Sequence, residues 1–287
     1  MKLSFIFLTS VISFCGTLTR DERLIHEFNK KLAEAEAKWQ EHSEYLSNIV
    51  ASIEEHFGKV DRIRIIGLGI LDPDNNDDSD KQGQYIPSDI EAIFLQLQLA
   101  LRLRRELSDS FGYGGLHITS EESDHREPEL KFLRTLAILP ILPTSLKKFG
   151  YFDPPTELKT LVFMPNSGSG AGLNNLIWSY RRNDHIKNLA FLKVKEDFTS
   201  GEMYDDEELA QMAYLKEYIK VAELIEFPIP QKSVGFAENN DFNKHMLYVL
   251  KNTKLLYPEP RYTAERFVAQ LVPRASYVSA EFVITEE

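Results

Sequence analysis

From residue 21 to residue 57, apolar side chains recur every three or four positions, with charged side chains between them. This spacing matches the turn of an α-helix and predicts an N-terminal amphipathic helix that leads into the rest of the chain. The apolar positions are Leu24, Phe28, Leu32, Ala35, Trp39, Leu46, Ile49 and Ile53. Trp39 is the largest of them, and we expect it to anchor the helix on the following domain.

After this helix, short runs of β-branched and other apolar residues alternate with longer helical patterns. The predicted strands cover residues 62–67, 116–119, 137–141, 160–164 and 189–194. The predicted helices cover residues 88–107, 129–136 and 172–180. Such alternation is typical of an α/β fold, so we expect a mostly parallel sheet with helices on both faces.

Two of the predicted strands run into glycine-bearing loops, each of which precedes a predicted helix. In a parallel sheet both loops leave at the carboxyl edge, where free backbone N–H groups bind anions. We therefore expect a cleft for a small anionic ligand, lined by Gly67, Gly69, Asn166, Ser167 and Gly168. The alternative is that both loops are simply tight connections that pack against each other.

Neither these two loops nor the acidic segment after the first one contains the complete motif that would identify a cofactor or a metal. Asp72 stands where a dinucleotide-binding motif has its third glycine, and no Gly-Lys-Ser/Thr closes the loop at residues 166–172. The acidic segment at residues 72–80 lacks the glycine and the glutamate of a calcium-binding EF-hand loop. The sequence thus predicts no metal site and leaves the cofactor unknown.

Charge and cysteine content narrow the range of partners. The 287 residues include 44 acidic and 33 basic side chains, for a formal net charge of −11. This acidic balance argues against direct nucleic-acid binding, which needs a basic surface for the phosphates. The single cysteine, Cys15, excludes an intramolecular disulfide and a cysteine-based zinc cluster.

Short segments between about residues 60 and 250 resemble, in order, the motifs of the SRR1-like domain family, named after a plant protein for sensitivity to red light. The segments cover residues 65–69, 98–101, 160–165, 173–178, 187–192, 226–230 and 241–243. The resemblance assigns residues 58–250 to an SRR1-like α/β domain and leaves residues 251–287 as a C-terminal extension. The chain departs from the family pattern in two places: Asn166 replaces a frequent histidine, and the second strand, which usually ends in Asp-Pro, here reads Thr-Ser-Glu-Glu at residues 119–122.

The resemblance implies a Rossmann-like fold and a regulatory role in circadian rhythm, stress responses or haem biosynthesis. It implies no settled catalytic activity. It also implies that the protein is located in the cytoplasm or nucleus. We therefore expect a non-enzymatic regulator that acts through a protein partner or a small ligand. The alternative is an enzyme with a nucleotide-type cofactor, either a methyltransferase or an oxidoreductase, but the sequence reveals no general acid or base converging on the two loops.

The N-terminal segment, residues 1–20, favours a second location. Lys2 is followed by an apolar run that ends near Gly16, as in a secretory signal peptide. The run is too short for a transmembrane helix. The protein would be secreted if residues 1–16 were cleaved, whereas the family resemblance favours the cytoplasm or nucleus.

Overall fold

The protein is described here by a computed structural model over residues 18–72, 90–112, 114–121, 125–141, 158–165, 177, 186–194, 213–228 and 244–250. The helices in these ranges are α1 (Arg20–Glu41), α2 (Ser43–His56), α3 (Ile90–Phe111), α4 (Glu127–Thr135) and α5 (Ala213–Val221). The strands are β1 (Arg62–Ile66), β2 (His117–Glu121), β3 (Ile138–Ile141), β4 (Thr160–Met164), β5 (Leu189–Val194), β6 (Ala222–Pro228) and β7 (Lys244–Leu250).

All seven of these strands form one sheet, in the order β3-β2-β1-β4-β5-β7-β6. The first five pair in parallel, which confirms the predicted mostly parallel sheet. β7 runs antiparallel to both β5 and β6, and the sequence analysis predicted neither β6 nor β7 as a strand. The chain therefore places β2 and then β3 on one side of β1, and β4 and then β5 on its other side.

Alternating side chains of the strands divide the core into two clusters. Ile63 and Ile65 of β1 belong to a cluster that also contains residues of α1, α2, α3 and α4. Ile66 belongs to the second cluster, together with Leu215 and Tyr218 of α5. Helices therefore pack on both faces of the sheet, as the alternating pattern predicted.

The predicted lead-in helix is two helices that meet at His42. Thr19 and Glu22 form a capping box at the start of α1, because each side chain accepts a hydrogen bond from the other residue's backbone amide. Trp39 is fully buried, and its indole Nε1–H donates to the carbonyl of Leu95 in α3 at 2.8 Å. This contact confirms the predicted role of Trp39 as the anchor between the lead-in segment and the sheet domain.

Several predicted segments lie outside the described residues. They include the N-terminal segment up to residue 17, the glycine loop from residue 166 to 172, and the C-terminal extension. The predicted helix over residues 172–180 is described only at Ile177, which is buried in the second core cluster. Among the helices that the structure does describe, none is both long enough and apolar enough to cross a lipid bilayer.

Candidate functional site

The chain turns sharply at the carboxyl end of β1. Gly67 and Gly69 both have positive φ angles, 71° and 95°, in a region that L residues with a Cβ rarely adopt. The amide of Gly67 donates to the carbonyl of Glu121 at 3.3 Å, which extends the pairing of β1 with β2 by one residue. Both glycines are therefore required by the backbone conformation; Gly67 is half-buried and Gly69 is buried.

The end of β1 lies where the strand order reverses direction. β1 pairs with β2 on one side and with β4 on the other, and all three strands are parallel. In open α/β sheets this reversal opens a crevice beyond the carboxyl ends of the two diverging strands, and ligands bind there. Gly67 and Gly69 lie at this edge as predicted, while Asn166, Ser167 and Gly168, which follow β4 in the chain, lie outside the described residues.

Glu129, near the start of α4, fixes the far end of the loop that follows β1. Its Oε1 accepts hydrogen bonds from the amides of Leu71, at 2.5 Å, and Asp72, at 3.1 Å. Its Oε2 accepts a hydrogen bond from the amide of Arg126 at 2.6 Å, inside the helix's own first turn. One buried carboxylate thus joins the loop from Gly67 to Asp72 to the N-terminus of α4.

The electrostatic environment keeps the Glu129 carboxylate ionised. Burial acts to raise the pKa of Glu129, but the adjacent His125 and the backbone amides of Arg126 and Leu71 outweigh it, so the pKa lies below its ordinary value. Hydrogen bonds from backbone N–H groups stabilise the charged form of a carboxylate. The loop is consequently held by a charged acceptor, which makes stronger hydrogen bonds than a neutral one.

His125 lies next to this carboxylate, in the connection between β2 and α4. Its side chain is only 1% exposed, and its Nδ1 is 3.7 Å from Oε1 of Glu129. Among the described residues, the contact with Glu129 is the polar contact of this ring, and neither nitrogen forms a hydrogen bond of standard geometry. The sequence analysis missed both residues. The only local signal is that His125 and Glu129 are four positions apart across a helix start, and the contact with the β1 loop is not visible in the sequence.

β2 ends in an acidic residue that is already paired. Arg64 of β1 donates from Nε to Oε1 of Glu121 at 2.9 Å and from Nη2 to Oε2 at 3.1 Å. The side chains are 4% and 0% exposed, respectively. Burial raises the pKa of Glu121 to about 7, although the guanidinium of Arg64 acts in the opposite direction. Glu121 is therefore an internal ion-pair partner of Arg64 rather than an exposed acid at the crevice.

Within the described ranges, no group of three or more histidine, cysteine, aspartate or glutamate side chains is arranged to hold a metal ion. Comparison of the chain with protein-family models, with curated proteins and with solved structures finds no match. The resemblance to SRR1-like domains thus rests on the short motifs alone, and the functional argument rests on the geometry of the carboxyl edge.

Proposed function

We propose that this protein is a regulatory protein with a Rossmann-like domain that binds a nucleotide-type ligand in the crevice between β1 and β4. The observation that carries this proposal is the pair of left-handed glycines at the end of β1, at the point where the strand order reverses. Because glycine has no Cβ, glycines at the end of this strand allow the phosphate or ribose of a ligand to approach the backbone closely. The carboxylate of Glu129 stabilises the shape of this loop before any ligand arrives.

The SRR1-like resemblance supports a regulatory role for the same crevice. Two of its motifs, at residues 65–69 and 160–165, include the ends of β1 and β4 that flank the reversal. We propose that ligand binding or a protein partner at this edge acts in circadian, stress or haem-linked regulation, in the cytoplasm or nucleus. No catalytic step is part of this proposal.

A methyltransferase is the second candidate, and the strand order favours it over an oxidoreductase. The dinucleotide-binding order is 3-2-1-4-5-6. Here an antiparallel β7 lies between β5 and β6. The observed order therefore departs from that of a dinucleotide-binding oxidoreductase at this end of the sheet. This argument is one of fold analogy, because one fold supports many functions.

A thermal-shift experiment with a matched pair of variants tests the proposal. The probes are S-adenosylmethionine, S-adenosylhomocysteine, NAD⁺, NADP⁺ and ATP, and a ligand at about a hundredfold excess over Kd stabilises by about 2.7 kcal/mol. The variant is Gly67→Ala, and the control is Gly112→Ala. Gly112 has a similar φ of 68° and open space around it, but it follows α3 and therefore lies at the opposite edge of the sheet.

Both substitutions introduce the same left-handed strain, about 1–2 kcal/mol. We expect at least one probe to stabilise the unmodified protein and the Gly112→Ala control, and to stabilise Gly67→Ala much less. Equal stabilisation of both variants places the ligand elsewhere. Stabilisation by none of the probes contradicts a nucleotide-type ligand. A larger shift with S-adenosylmethionine than with NAD⁺ favours the methyltransferase.

A further inference from the structure

We draw no further inference here: the strongest candidate, the outer edge of β6 with its exposed Leu224, carries none because nothing in the described part of the chain shows what covers it.

Discussion

The hydroxyl of Tyr45 in α2 lies 2.9 Å from Nδ1 of His245 in β7, and the two residues are 200 positions apart in the chain. The other ring nitrogen of His245, Nε2, is 3.3 Å from Oε1 of Gln96 in α3. This buried polar contact joins the lead-in helices, the long helix α3 and the antiparallel strand next to β5. Burial raises the pKa of Tyr45 and lowers the pKa of His245 to about 4.

The lowered pKa of His245 predicts a specific loss of stability in mild acid. The unfolded chain takes up a proton near pH 6.5, whereas the folded protein resists it down to about pH 4. Stability linked to His245 is therefore present above pH 6.5 and is lost as the pH falls towards 4. The shift of 6.5 − 4 = 2.5 corresponds to a change on the order of 3 kcal/mol.

Urea unfolding of the unmodified protein and of His245→Gln at a series of pH values measures this dependence. We expect the variant to be less stable at pH 7 and to approach the unmodified protein as the pH falls from 6.5 to 4. The other histidines contribute equally to both proteins and cancel in the difference. A constant difference across this range shows that His245 does not titrate with a lowered pKa.

The lowered pKa of Glu129 predicts that the protein loses stability in acid. Its pKa lies below the ordinary value of 4.5, so its contribution is present above pH 4.5 and is lost as the pH falls through the lowered value. We expect Glu129→Gln to be about 1–3 kcal/mol less stable at pH 7, because the amide cannot accept the same charged hydrogen bonds from Leu71, Asp72 and Arg126.

Glu127→Gln is the control for this variant, since Glu127 lies in the same first helical turn but is exposed. Its unfolding free energy should stay within about 0.5 kcal/mol of the unmodified protein. The deficit of Glu129→Gln should shrink below pH 4.5. If the lower unfolding free energy of Glu129→Gln persists below pH 4.5, the packing of the Glu129 side chain, and not its charge, holds the loop.

The buried pair of Arg64 and Glu121 predicts strongly non-additive substitutions. Arg64→Met and Glu121→Leu should each destabilise by about 3–5 kcal/mol, because Glu121→Leu takes the carboxylate away from the buried guanidinium, and Arg64→Met takes both hydrogen-bond donors away from the buried carboxyl. The double variant should be close to either single variant or more stable, since it buries no unpaired charge. Chemical unfolding of all four proteins gives the coupling energy, and additive losses contradict an interaction between these side chains.

Local patterns sufficed to predict the parallel part of the sheet and the anchoring role of Trp39, because both depend on apolar spacing. The last two strands escaped prediction for different reasons. The sequence of β6, AELIEFP, mixes acidic and apolar residues as an edge strand does, and β7 directly follows a polar stretch of the sequence. Glu129 escaped because its function depends on the amides of Leu71 and Asp72, which lie 58 and 57 positions away in the chain.

The burial of Trp39 predicts that the lead-in helices unfold together with the sheet. Its ring is fully buried beside Tyr45, with centroids 6.2 Å apart, and it belongs to the same continuous core cluster as Ile63 and Ile65 of β1. A shared core makes the two parts one cooperative unit, so Trp39→Ala should lower the unfolding free energy of the whole protein by about 3–5 kcal/mol.

The urea midpoint should therefore fall without a change in the slope m, and amide exchange should become faster in α3 and β1 as well as in α1. Lys30→Ala, on the exposed face of α1, should change the unfolding free energy by less than about 0.5 kcal/mol. If the faster exchange in Trp39→Ala is confined to α1 and α2, the lead-in helices open separately, and the sheet domain is stable without their contacts.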